Sequence, residues 1–456
     1  MTALLLARWQ FAVVTIFHFF FVPITIGLGM VVAVMQTLAY RRRDPAWEQL
    51  TWFFGRLFLI NLAVGVVTGI VLEFQFGMNW SSYSVFVGNI FGAPLAIEGL
   101  LAFFLESTFV GLWIFGRGRL SPRVHLATIW LTSGGTILSA FFILAANSWM
   151  QHPVGYQVVH GKAVLTDFWA VLANSTLWAA FLHTVTAAFV TAGMLVLAVC
   201  AWQIRKDRDR PAFIRAARLT VALSLVSVLL TSVAGDIQGR LMDTQQPMKM
   251  AAAEALYHTS RGASFSLLTI GNLSGKPLLQ IRLPHVLSLI ATLSWNGTVQ
   301  GIDQVQAAEA AAHGPGSYVP VIWATYWSFR VMVGMGVLLI LLTAWGTWLA
   351  RRNRIDRSPW FLRAALVGVA LPFVANTTGW TFTELGRQPW VVYGVLKTVT
   401  GVSPGVGTAD VATTLAIFVV VYTVLGVVDA TLMLRSARRR LTEPDHDETP
   451  VPGLVY

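Results

Sequence analysis

APLAIEGLLAFFLESTFVGLW, residues Ala93–Trp113, is apolar over almost its whole length and yet carries two carboxylates, Glu98 and Glu106. About 20 residues of helix cross a hydrocarbon core of roughly 30 Å, so the run reads as a membrane span. A charged carboxylate there costs about 3 kcal/mol unless a proton, a cation or a metal offsets it, and such residues therefore mark function.

The rest of the chain has the same character. Hydrophobic residues make up 55% of the 456 positions and charged ones 12%, with a mean hydropathy of +0.65. That is the composition of a polytopic membrane protein. Nine stretches are long and apolar enough to span, centred near Val22, Leu62, Phe104, Leu138, Val190, Leu225, Val337, Val369 and Val419. The expected fold is an all-α bundle of nine transmembrane helices. Of the 32 Lys and Arg, 21 fall on alternate connections, in clusters at 41–43, 117–123, 205–218, 351–363 and 435–440. Positive connections stay in the cytoplasm, which puts the N-terminus outside and the C-terminus inside. A pI near 10.2 follows from this topology, with no nucleic acid needed as a partner.

The start of the chain lacks an early basic cluster and a small-residue cleavage site, so the first span is expected to be retained. The single cysteine, Cys200, excludes an intrachain disulfide and thioether-attached haem. Four segments are expected. Residues 1–236 hold the first six spans, 237–319 form an extracytoplasmic loop, and 320–441 hold the last three spans. Residues 442–456, with Pro and acids, form a disordered cytoplasmic tail. Outer loops as long as the second segment are often functional.

Few side chains with ligand chemistry lie deep in the spans: His18 in the first, Glu98 and Glu106 in the third, His183 in the fifth, Met332 in the seventh and Glu384 in the eighth. At about 1.5 Å per residue, all but Glu106 fall in the outer half of the bilayer, and Glu106 lies about 12 Å further in than Glu98 on the same helix. Filler has no reason to gather in one layer. Two His, one Met and two carboxylates at one depth are a plausible set of axial ligands for buried iron porphyrins. Copper-containing terminal oxidases are excluded, because they need about six intramembrane histidines and only His18 and His183 lie inside. Two other classes stay open on these residues: a proton-coupled transporter or channel using Glu98, Glu106 and Glu384, and a membrane scaffold, which would leave the buried acids without a role.

In chain order, FHFFFVP (17–23), LEFQFGMNW (72–80), Ala93–Trp113, ANSWMQHPVG (146–155), YWSFRVMVG (326–334) and GRQPW (386–390) resemble subunit I of the cytochrome bd-type quinol oxidases. The resemblance covers nearly the whole chain. It implies a respiratory quinol:oxygen oxidoreductase of the bacterial cytoplasmic membrane, electrogenic and without copper, that oxidises quinol outside and reduces dioxygen with cytoplasmic protons. It also implies two haems b, one low-spin and one high-spin, one haem d, a second polytopic subunit, and in some members small single-span subunits.

Carried over by motif, His183 and Met332 are the axial pair of the low-spin haem, and His18, Glu98 and Glu384 serve the high-spin haems. Arg330 and Arg387 suit haem propionates, and Trp380 suits packing on a porphyrin. Lys249 and Glu254 stand where the family's quinol loop has its cation and base, in what resembles the shorter form of that loop. Protons must climb from the cytoplasm to haems near the outer face, which gives Glu106, Ser139 and Glu98 the role of steps.

Overall fold

The computed structural model describes residues 2–274 and 277–441. Among these, nine helices are long and apolar enough to cross a membrane, which agrees with the nine apolar runs. The expected tail at 442–456 lies outside the described residues.

Two long helices open the bundle, α1 (Ala3–Arg42) and α2 (Pro45–Met78). Their junction is set by Arg43 in a left-handed conformation and by Asp44, whose carboxylate accepts from the Ala46 N–H just ahead of Pro45 at the first helical position. That arrangement stops one helix and caps the next within three residues.

The third span is α3 (Ser81–Ile97), a π-helical segment (Glu98–Phe103) and α4 (Phe104–Phe115). Next comes α5 (Pro122–Gln151), followed by a hairpin of β1 (Tyr156–Val159) and β2 (Lys162–Leu165), then short α6 (Phe168–Leu172) and long α7 (Ser175–Arg205). The sixth span, α8 (Arg210–Gln245), continues past the loop boundary expected at 237. Its polar last turns read as loop in sequence, but an Asp236–Arg240 pair one turn apart, at 2.6 Å, supports continued helix.

Residues 246–274 and 277–321 form a folded cap at one end of the bundle. It contains α9 (Pro247–Glu254), β3 (Ser260–Arg261), β4 (Phe265–Gly271), β5 (Pro277–Leu283), α10 (Val286–Thr292), β6 (Thr298–Val299) and α11 (Ile302–His313). β3 pairs with β6 and β4 with β5, both antiparallel. The sequence reading expected a long outer loop here, and neither its helices nor its strands were assigned.

The bundle closes with α12 (Ile322–Arg351), α13 (Pro359–Gly368), α14 (Ala370–Leu385), the small hairpin β7 (Trp390–Val392) and β8 (Leu396–Lys397), and α15 (Thr408–Ala437). The eighth span is thus two helices. Pro372 has no N–H for the carbonyl of Gly368, where α13 ends, and the helix breaks there.

Packing is polarised along the bundle. Toward the arginine-rich end, α1, α2, α4, α7, α8, α12 and α13 share one large apolar cluster that includes Met35, Phe54, Phe58, Trp113, Leu197, Phe213 and Phe361. At the loop-bearing end the apolar clusters are smaller and are interleaved with buried polar groups.

Candidate functional site

Each candidate iron ligand has a defined orientation. His18 Nδ1 lies 3.0 Å from the Thr68 hydroxyl, and that hydroxyl donates to the carbonyls of Val64 and Gly65. Thr68 therefore accepts from Nδ1–H, which leaves Nε2 with a free lone pair. His183 Nδ1 is 3.0 Å from the Thr231 carbonyl, which can only accept, so its Nε2 is free as well. Those partners fix the imidazoles as metal-ligating histidines are commonly fixed.

A glycine faces each of these ligands from a neighbouring helix. A Cβ on Gly69 would lie 3.0 Å from His18 Cε1, one on Gly235 3.3 Å from His183 Cε1, and one on Gly379 3.0 Å from Met332 Sδ. An added methyl would press on the very side chains whose aim matters.

Met332 shares α12 with Arg330. Arg330 is buried, and its Nη2 donates to Glu254 Oε2 at 2.6 Å. Its guanidinium lies over the rings of Phe265, Tyr326 and Phe329, while Nε and Nη1 have no partner. At the end of α14, Glu384 pairs with Arg387 and accepts from Asn147 Nδ2 at 3.3 Å. Arg387 is buried and likewise has Nε and Nη1 unmatched. Unmatched buried donors on a cation are costly. Each arginine presents free donors suited to an anion, and a haem propionate is such an anion.

Trp380 meets Phe19, the neighbour of His18, edge to face at 5.2 Å. A small cleft is lined there by Thr15, Ile16, Phe20, Phe373 and Trp380 among others. Among the described residues no three of His, Cys, Asp and Glu converge as a metal cluster. The donors come singly or in pairs, the number needed when a porphyrin supplies the other ligands. The residues present fit haem.

Glu98 opens the π segment and accepts from the Ser139 hydroxyl of α5 at 2.6 Å, so the two groups expected to be steps are in contact. Glu106 follows in the first turn of α4. Backbone at Glu106 abuts α5, since a Cβ on Gly135 would lie 3.1 Å from its nitrogen.

Lys249 and Glu254 are not on an exposed helix face. All of Met248–Glu254 is buried. Lys249 Nζ donates to Gln151 Oε1 at 2.7 Å, and Gln246 donates to the side chain and carbonyl of the same residue. Gly386, where α14 ends, lets the lysine stem through; a Cβ there would stand 2.8 Å from Lys249 Cγ. Burial first, and then the Arg387 charge, lower the ammonium pKa to about 7, against the pull of Glu384. Glu254 is raised by burial, with Arg330 and the Ser266 N–H opposing. Arg330 was read as a propionate partner, but one edge of it already serves Glu254, which joins the quinol and haem candidates in one network.

Sequence reading missed Thr68, Thr231, Asn147 and Gln151. The last two lie in ANSWMQHPVG, where amides at the end of an apolar helix were the available signal. Thr68 and Thr231 gave none, because a hydroxyl in a span is ordinarily spent on its own helix.

A family model described as cytochrome bd terminal oxidase subunit I matches residues 6–441. The cytochrome bd ubiquinol oxidase subunit 1 of Bacillus subtilis (strain 168) is 43% identical over 453 residues, covering 99% of this chain and 97% of that one. Cytochrome bd-II ubiquinol oxidase subunit 1 of Escherichia coli (strain K12) is 34% identical, covering 95% and 96%. The solved structure of bd oxidase from Geobacillus thermodenitrificans superposes with a TM-score of 0.89 at 27% identity, covering 96% of this chain and 99% of that one.

Proposed function

This chain belongs to the cytochrome bd terminal oxidase subunit I family and is a multi-pass subunit of a respiratory quinol oxidase that carries haem, and from that premise we propose how its residues divide the work. The transporter alternative has no support from the relatives.

The observation that carries the reading is the pair of buried arginines, Arg330 and Arg387, each with two unmatched nitrogens and each within three residues of a candidate ligand. The cofactors are a low-spin haem b, a high-spin haem b and a haem d; when bound they pass single electrons and bind and reduce dioxygen. His183 and Met332 would hold the low-spin haem, and a histidine–methionine pair of ligands would suit it to electron transfer. His18, Glu98 and Glu384 serve the high-spin haems. Arg330 and Arg387 neutralise propionates, and Trp380 packs beside a ring.

The loop-bearing end faces outside and receives quinol. Glu254 accepts a quinol hydroxyl proton, helped by burial that raises its basicity. Lys249, held by Gln151, donates to the other quinol oxygen. Protons for oxygen reduction enter from the cytoplasm and pass Glu106 to the Ser139–Glu98 pair. The second polytopic subunit of the complex covers part of this chain, which sits in the bacterial cytoplasmic membrane.

Reduced-minus-oxidised spectra of the purified complex test the assignment. Met332→Leu keeps volume and removes the thioether, so the low-spin signal should convert to high spin. Glu384→Ala should deplete a high-spin signal and spare the low-spin one. An unchanged low-spin spectrum in the first variant removes Met332 from the ligand set, and unchanged haem content in the second makes Glu384 a partner of Arg387 only.

A further inference from the structure

The β4–β5 hairpin is inside out for a hairpin in water. Opposed residues of an antiparallel pair share a face. The register Leu268↔Ile281 and Ile270↔Leu279 therefore groups four aliphatic side chains on one face, while Ser266↔Arg282 and Thr269↔Gln280 supply the other. Ser266 and Thr269 of the polar face are buried against the body of the protein. Ser266 Oγ is 3.0 Å from Thr269 Oγ1 and 2.6 Å from the Tyr326 hydroxyl. The aliphatic face points away, with Ile270 41%, Leu279 47% and Ile281 45% exposed.

Depth identifies the surroundings. Tyr326, to which the hairpin root is bonded, lies four residues into α12, about 6 Å below its loop-side end. The 30 residues of α12 make about 45 Å of helix against a core of roughly 30 Å, so an overhang of about 7 Å at each end brings Tyr326 to the headgroup level. After its first residue β5 is exposed on both faces. A protein partner docking on one face would leave the other to solvent, whereas an interfacial lipid layer meets the aliphatic side and leaves Gln280 and Arg282 among headgroups.

We propose that the β4–β5 hairpin lies in the lipid interface with its aliphatic face among acyl chains, and that it forms the entry by which a lipid-dissolved quinol reaches Glu254. The second half rests on the quinol reading of Glu254. What links the two is strand β4, whose Ser266 N–H donates to Glu254 Oε2 at 3.0 Å. One strand thus touches both the leaflet and the carboxylate.

The test uses the whole oxidase complex in phosphatidylethanolamine–phosphatidylglycerol vesicles. A nitroxide is placed on Leu279→Cys; Cys200 is buried, so labelling of this chain is confined to the new thiol, and signal from the rest of the complex is subtracted with the parent complex treated alike. Collisions with oxygen should exceed those with a water-soluble nickel chelate. The reverse order would place the hairpin in water, and protection from both would place it under a protein partner; either overturns the proposal. In a Leu279→Glu, Ile281→Glu double variant, KM for a long-tailed quinol in the vesicles should rise about tenfold, while KM for a short-tailed soluble quinol and the haem spectrum stay as in the parent. An unchanged long-tail KM overturns the entry route. Failure of the quinol reading would register separately, as parental kinetics in Glu254→Gln, with the nitroxide result unaffected.

Discussion

The two ends of the bundle treat charge in opposite ways. At the arginine-rich end the ion pairs are wet: Arg215 meets Asp44 at 2.6 Å with side chains 50% and 28% exposed, and apolar packing around Phe54, Phe213 and Phe361 forms the interior. At the loop-bearing end Arg330 and Glu254 meet at the same distance with side chains 6% and 2% exposed, and Arg387, Lys249 and Gln151 are buried beside them. The difference teaches that stability and chemistry are separated along the membrane normal. Close packing at one end offsets the expense of desolvated charge at the other.

The comparison breaks most visibly at Arg330. Its replacement by Leu strands Glu254 without its cation, a loss of about 3–5 kcal/mol. Thermal denaturation of the complex should show that loss together with a fall in haem content; retained stability would mean that the pair is not the electrostatic keystone of this end. Phe361→Ala, in the opposite apolar cluster, should cost a comparable 3–5 kcal/mol or so through the cavity it leaves. Its folded fraction should nevertheless keep the parental haem spectrum, and a spectral change would show that the two ends are coupled.

A smaller effect is expected at Lys249. An amine lowered from 10.5 to about 7 in the folded protein binds fewer protons there than in the unfolded chain between those values. Its burial therefore costs most below about pH 7, and that cost is relieved as the pH rises toward 10.5. Quinol KM should vary with pH around 7, and Lys249→Gln should flatten that profile; an identical profile would take Lys249 out of the binding step. Least of all, Arg215→Ala should change stability by about 0–1 kcal/mol. A shift as large as that of Arg330→Leu would erase the distinction between the ends.

Much of this was legible in the sequence because membranes impose long, simple signals. The nine spans follow from apolar runs, and Ser139 and Glu98, read as successive steps, do touch. The pairing of Arg330 with Glu254 was not legible, since the residues are 76 positions apart and each had a satisfactory reading alone. Burial of α9 was hidden because PMKMAAAE has the composition of a surface helix, and only the folded cap covers it. The break after Gly368 was signalled by Pro372 but overlooked inside a continuous apolar run. The glycines facing His18, His183 and Met332 gave no warning, because in one chain a glycine that makes room looks like any other.

The π segment at Glu98–Phe103 bears on insertion and deletion. In an unbroken α-helix, residues eight apart point about 80° away from each other, whereas seven apart differ by only about 20°. A π turn takes up one residue more than an α turn, so Glu98 and Glu106 are separated as if by seven and share nearly one side of the helix. Removing one residue between Glu98 and Phe103 would turn the segment into plain α-helix without rotating one carboxylate away from the other. Removing one from the regular turn that follows would swing Glu106 by about 100°. Along this span a change in length is neutral or ruinous according to which turn absorbs it, so related chains are best aligned here by helical phase, with a gap allowed inside the wide turn.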